Sequence, residues 1–219
     1  MTQLRIDFVS DISCPWCALG LASLSHALNQ LAPEITAQLY FQPFELNPDL
    51  PAGGVDFAQH MAHKGYDAHK LAASQETLSM RGAELGVHFD FNRRGHIYNT
   101  FDAHRLLHWA GLEGRQEQLK LALFKAYFTD GANVGDHATL ARIAGEAGLD
   151  PARAQAILAS DEFAREVREQ ERHFTVQGIQ SVPSVIINGR YLIQGGQPPE
   201  AFEQALRQIA NSPPPATNA

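Results

Sequence analysis

The sequence predicts an α/β protein in which a central mixed sheet is interrupted by a large all-helical insertion. Three observations carry this expectation. A strand-helix-strand pattern fills the first forty-odd residues, helical periodicity runs from about residue 55 to 174, and a β-hairpin signal returns near the C-terminus.

Leu4 to Val9 alternates and is rich in β-branched and aromatic residues, so it reads as a first strand, followed by the loop Ser10-Asp11-Ile12-Ser13. From Cys17 to Leu31, apolar residues Leu21, Leu24, Leu28 and Leu31 recur at helical spacing, and Pro33 ends the pattern. Ile35 to Phe44 is again strand-like, which makes a parallel βαβ start the natural reading. A turn-rich stretch, Asn47 to Gly54, leads into the helical region, where no convincing strand is found. In that region Leu106, Leu107, Trp109, Leu119, Leu123, Phe124, Tyr127 and Phe128 fall at helical spacing and predict the core of the insertion.

Toward the C-terminus, Ser184 to Ile187 and Tyr191 to Gln194 flank Asn188-Gly189, a strong two-residue hairpin signal. An amphipathic helix from about Pro199 to Ile209 closes the fold, and the Pro-rich polar tail beyond it is expected to be disordered. The chain thus divides into a sheet-bearing part, 1–54 and 175–210, a helical insertion, 55–174, and a tail, 211–219.

Hydrophobic residues make up 44% and charged residues 19%, the balance of a globular protein. A formal charge of -7 argues against a nucleic-acid partner, because phosphate binding draws its affinity from Lys and Arg. The N-terminus has no apolar leader pattern and no run of about eighteen apolar residues occurs, so a cytoplasmic protein without a membrane span is expected.

The chain has two cysteines, Cys14 and Cys17, and chance would place two cysteines three apart in roughly one case in a hundred. Two thiols at this spacing can close a small disulfide ring. The first sits at a helix N-terminus, where backbone N–H groups and the helix dipole favour negative charge, so Cys14 is expected to be the more acidic thiol. Cys14 then serves as nucleophile on a substrate disulfide, and Cys17, one turn further into the helix, resolves the mixed disulfide. Pro15 starts the helix where a missing N–H costs nothing, and Trp16 offers a flat apolar face beside the sulfur. A C-x-x-C pair is also half of a zinc knuckle, but no second pair exists and the flanking βα pattern is the redox context, so no metal is expected.

The segment Asp11-Ile12-Ser13-Cys14-Pro15-Trp16-Cys17, the helical insertion and Gly178-Ile179-Gln180-Ser181-Val182-Pro183-Ser184-Val185-Ile186-Ile187-Asn188 together resemble the DsbA-like branch of the thioredoxin superfamily, most closely its FrnE-like group. The resemblance spans nearly the whole chain, from the first strand to about Ile209. It implies a thioredoxin-like fold and a cis-proline at Pro183, preceded by Val182, facing the cysteine pair. Sequence alone favours an ordinary trans proline there; a cis bond would leave the Val182 backbone free to pair with an extended substrate. DsbA itself is secreted and has His where this chain has Trp16, which argues against a strongly oxidising periplasmic role. Some FrnE-like proteins carry a second cysteine motif that is absent here.

The resemblance implies a thiol-disulfide oxidoreductase acting on a disulfide-containing protein or a small thiol, with no resident cofactor and with glutathione as a candidate co-substrate. The fold also resembles 2-hydroxychromene-2-carboxylate isomerases and kappa-class glutathione transferases. Those relatives usually carry Ser where this chain has Cys14.

The segment from Asn99 to Trp109 looks like a further family signature. Asn99 and His104 either line the cleft above Cys14 or cap and pack the helices locally. Asp7 and Asp11 are candidates for an acidic group relaying protons near the inner cysteine. His60, His63 and His69 cluster in sequence but lack regularly placed carboxylates, and a solvated surface is the expectation.

Overall fold

A computed structural model describes residues 1–51 and 53–212. The chain opens with β1 (Thr2–Ser10), α1 (Pro15–Leu31) and β2 (Ile35–Pro43). β1 and β2 pair in parallel from Thr2 opposite Ile35 to Ser10 opposite Pro43. The crossover is α1, which begins at Pro15, a residue suited to the first helical position because its missing N–H needs no partner there.

β3 (Val55–Asp56), α2 (Phe57–His63), α3 (Ala68–Glu84) and β4 (His96–Ile97) follow, then α4 (Phe101–Leu112), α5 (Gln116–Phe128), α6 (His137–Glu146), α7 (Pro151–Leu158) and α8 (Ala164–Val176). Several of these helices start on an aspartate that accepts backbone N–H bonds: Asp56, Asp67, Asp136 and Asp150. The sequence predicts no strand in this region, yet β3 and β4 form a two-stranded antiparallel ribbon with Val55 opposite Ile97. Two-residue strands carry no alternation to detect, and their pairing is fixed by residues some forty positions apart. The helical part also runs slightly past its expected end, since α8 continues to Val176.

The chain returns to the sheet with β5 (Ser184–Ile187) and β6 (Tyr191–Gln194) and ends in α9 (Pro199–Ala210). The four-stranded sheet has the order β2-β1-β5-β6 and is mixed. β5 runs antiparallel to β1 and to β6. Asn188 and Gly189 both adopt positive φ, 53° and 65°, as a tight two-residue hairpin requires. Asn211 and Ser212 turn away from α9; the rest of the tail, and with it the expectation of disorder, lies outside the described residues.

Leu4, Ile6, Phe8, Leu19, Leu21, Leu24, Val185, Ile187, Phe202 and Leu206 are buried and bind α1 and α9 to the sheet. Each such side chain removed from water contributes about 1.5–3 kcal/mol. Helices α4, α5 and α8 pack against β2, and α5 also reaches α1. Leu106, Leu107, Trp109, Leu119, Leu123, Phe124, Tyr127 and Phe128 all belong to the same buried cluster.

Candidate active site

The C-terminal end of β1 delivers the chain into the loop that carries Asp11, Ser13 and Cys14. Cys14 is the N-cap of α1, in extended backbone (φ -91°, ψ 109°), and its side chain makes no capping bond. Its carbonyl instead starts the helix by accepting from the Cys17 amide at 3.0 Å. Both cysteines are free thiols, 3.1 Å apart. Cys14 is 5% exposed and Cys17 fully buried. Burial, together with a hydrogen bond to Cys14, pushes the Cys17 thiol well above its ordinary range.

The β1/β5 register sets a second segment over this helix start. Val9 stands opposite Ser184, so the residues just before Ser184 reach the end of β1 where the cysteine loop begins. The Val182–Pro183 peptide bond is cis, and Cys14 Sγ lies 3.7 Å from the Val182 carbonyl oxygen, to which it donates. Close approach to α1 depends on glycine. A Cβ on Gly20 would meet Pro183 Cγ at 3.2 Å and the Gly196 Cα at 3.3 Å, and a Cβ on Gly196 would meet the Trp16 carbonyl at 3.0 Å.

Beneath the thiols lies a group of buried charges. Asp11 is fully buried and accepts from the Ser13 amide (3.1 Å), the Ser13 hydroxyl (2.8 Å) and the Leu46 amide (2.7 Å). Burial by itself raises this carboxyl, but His104 beside it and the Leu46 and Ser13 amides outweigh that and hold it at about 2. Arg94 donates to the Ser13 carbonyl and to the Tyr127 hydroxyl, both at 3.0 Å, which ties the helical part to the cysteine loop. Lys120 of α5 is also fully buried.

Cys14, Ser13, Pro15, Trp16 and Val182 open onto a cavity of about 470 Å³. Its floor and walls are apolar, including Phe57, Met61, Leu71, Leu78 and Phe91, whereas His60, Lys64, Lys70 and Arg94 supply basic groups. No Asp or Glu occurs among its described lining residues. Trp16 is braced from behind by Arg81, whose guanidinium carbon sits 5.7 Å from the ring centre and which donates to the Gly196 carbonyl at 2.9 Å.

The structure therefore brings Cys14, Cys17, Pro15, Trp16, Val182 and Pro183 together. It keeps Asn99 and His104 out of the cavity lining. Asn99 donates to the Pro48 carbonyl and accepts from the Phe101 amide, both at 2.9 Å. His104 is buried with Nε2 3.1 Å from the Phe44 carbonyl and 3.7 Å from Asp11, so it acts from below. Of the two acid candidates, Asp11 is under the cysteine loop. Asp7 points elsewhere, bound by Arg5 at 2.8 Å and Gln42 at 2.7 Å. His63 and His69 are exposed, but His60 lines the cavity and contacts Asn47 at 3.1 Å. Among the described residues no cluster of three or more metal-binding side chains occurs.

Arg94, Lys64, Lys70 and Lys120 were not singled out from sequence. For Lys120 a signal existed: it precedes Leu123, Phe124 and Tyr127 by three, four and seven positions, a lysine on the apolar stripe of its own helix.

A thiol pair at the start of the first crossover helix, faced by a loop before an antiparallel strand of a mixed sheet, defines a thioredoxin-fold protein of the dithiol type. The chain belongs to the family described as DSBA-like thioredoxin domain, whose profile matches residues 5–207. The YwbO protein of Bacillus subtilis (strain 168) is 28% identical over 205 residues, covering 93% of this chain and 96% of that one. The crystal structure of the probable DsbA oxidoreductase SCO1869 from Streptomyces coelicolor is similar with a TM-score of 0.89 and 33% identity, over 96% of this chain and 92% of that one. Two more distant structures share the fold, each at 16% identity. A 2-hydroxychromene-2-carboxylate isomerase has a TM-score of 0.69 over 94% of this chain and 95% of that one. The cytosolic disulfide reductase DsbM from Pseudomonas aeruginosa, solved with glutathione, has a TM-score of 0.62 over 95% and 100%. Among the described residues no helix is long and apolar enough to cross a membrane.

Proposed function

We propose that this protein is a thiol-disulfide oxidoreductase of FrnE-like type, working by dithiol/disulfide exchange through Cys14-Pro15-Trp16-Cys17. The observation that carries this reading is the pair of free thiols at the N-terminus of α1, the outer one opening onto a cavity and the inner one sealed behind it. Cys14 attacks a substrate disulfide, where the first amides of α1 favour negative charge on sulfur. Cys17 then displaces the substrate sulfur from Cys14 and closes the internal disulfide. The Val182 carbonyl, held in the facing wall by the turn at Pro183, orients the substrate sulfur.

The cavity supports a small or extended anionic substrate: apolar walls for its body, and Lys64, Lys70 and Arg94 for carboxylates. Glutathione fits that description as co-substrate, and the DsbM structure holds it on the same fold. Protein disulfides presented as extended segments are the other substrate class, through pairing with the Val182 backbone. A cytoplasmic setting, where glutathione keeps thiols largely reduced, favours reduction or isomerisation.

The apolar cavity favours one second reading, a glutathione-dependent isomerase or transferase. A single experiment separates the two. The protein is equilibrated across glutathione redox buffers, alkylated and weighed intact. A cooperative passage from two thiols to an internal disulfide supports the dithiol enzyme and gives its potential; a stable glutathione adduct on Cys14 without an internal disulfide supports the isomerase or transferase.

A further inference from the structure

Lys120 is the buried charge that the exchange chemistry leaves without a task. It is fully buried, and its Nζ has no hydrogen-bond partner among the described residues. The Phe124 ring lies 4.8 Å from it. An unpaired ammonium in an apolar surrounding is costly, and an apolar residue would fill this stripe of α5 without that cost.

Its surroundings suggest the reason. α5 packs against α1, the helix that Cys14 caps and that holds Cys17, and the groups whose charge bears on Lys120 across this contact are Cys17, Cys14 and Asp11. From α4, His104 faces Asp11; from the segment before β4, Arg94 is engaged by Ser13 and Tyr127; from α6, Arg142 and Glu146 pair with each other at the surface. Asp11 already has three hydrogen-bond donors and needs no further cation. Cys17, in contrast, must become a thiolate in a place from which water is excluded.

We propose that Lys120 is the counter-charge of the Cys17 thiolate and thereby sets the rate of the resolving step, an inference that rests on the dithiol reading above. In that step the Cys17 S–H gives up its proton, which ends on the departing substrate sulfur. The sulfur electron pair forms the Cys17–Cys14 bond, and the bond between Cys14 and the substrate sulfur breaks. That bond's electron pair leaves on the substrate sulfur, which takes up a proton. The protein dithiol is oxidised by two electrons and the substrate disulfide is reduced by two. Lys120 touches neither substrate nor the reacting bond, so it is a positioning residue acting through charge. Burial pulls its own pKa down to about 8, so the charge is present at neutral pH and fades as pH rises beyond that.

The test uses the full-length reduced protein and dithiobis(nitrobenzoate), an aromatic disulfide whose released thiolate is coloured. The first equivalent released reports attack by Cys14 and the second reports resolution by Cys17. Lys120→Met keeps the apolar stem and removes the charge. The expected result is a first phase within about twofold of wild type and a second phase slowed about tenfold or more at pH 7, with its pH profile displaced upward. Lys120→Gln is the companion variant, measured the same way if Lys120→Met does not fold. Unchanged rate and pH profile of the second phase overturn the proposal, and so does equal slowing of both phases, which indicates a general structural effect. A wild-type protein that releases a single equivalent overturns the dithiol reading itself.

Discussion

Cys14 Sγ and the carbonyl oxygen of Val182 lie 3.7 Å apart although 168 positions separate them in the chain. The β1/β5 register imposes this meeting: pairing Val9 with Ser184 leaves no other place for the two residues between Ser181 and Ser184 than above the start of α1. On the proposed reading, the outer thiol, which opens onto the cavity, and the inner one sealed behind it have separate duties.

Separate duties give opposite outcomes for the two cysteine variants. Cys14→Ser is expected to lose disulfide exchange to background, because the remaining thiol is buried. Cys17→Ser is expected to accumulate a mixed disulfide on Cys14, seen as an adduct by intact mass after incubation with oxidised glutathione.

Replacing the buried carboxylate under the loop tests its hydrogen bonds. Asp11→Asn retains one acceptor oxygen where the aspartate uses two, and turns an amide toward donors; the expected cost is about 2–3 kcal/mol in denaturant unfolding. The folded carboxyl sits near 2, below its ordinary 3.8, so its contribution is complete above about pH 4 and is lost as pH falls toward 2. Wild type and variant should therefore converge in acid.

A different carboxylate has the reverse sign. Glu45, its side chain 3% exposed, is pushed up to about 7 by burial and by neighbouring Glu171, against the pull of Arg168. The folded state keeps this proton between its ordinary 4.5 and 7 whereas the unfolded chain releases it, so stability falls as pH rises through that window. Glu45→Gln is expected to flatten the slope and to gain about 1–3 kcal/mol at pH 8, measured by urea unfolding across pH.

Basic groups on the cavity rim predict charge selectivity. Reversing Lys64 and Lys70 to Glu should lower kcat/KM for oxidised glutathione by about three- to tenfold at low salt, with little change for a neutral disulfide. The difference should shrink as salt is added.

Much of this site was legible in the sequence because its parts are local. Cys14, Pro15 and Cys17 announce a helix start by residue type, and Asn188-Gly189 fixes the bounds of β5 and β6 by turn chemistry alone. What stayed hidden is non-local. β3 and β4 exist through pairing between Val55 and Ile97, and Arg94 reaches Ser13 from an irregular segment with no periodicity to read. Lys120 stands between the two cases: its spacing from Leu123, Phe124 and Tyr127 puts it on the apolar stripe of α5, but only the packing of α5 shows what that stripe faces.

The span between Cys14 and Val182 also has a meaning for biosynthesis. At about 5–20 residues per second, a ribosome needs roughly 10–30 s to make the intervening chain. Throughout that interval both thiols have been synthesised while the wall that shields them has not. Until Val182 and β5 are made, the outer thiol therefore lacks the carbonyl and the strand that face it in the folded protein.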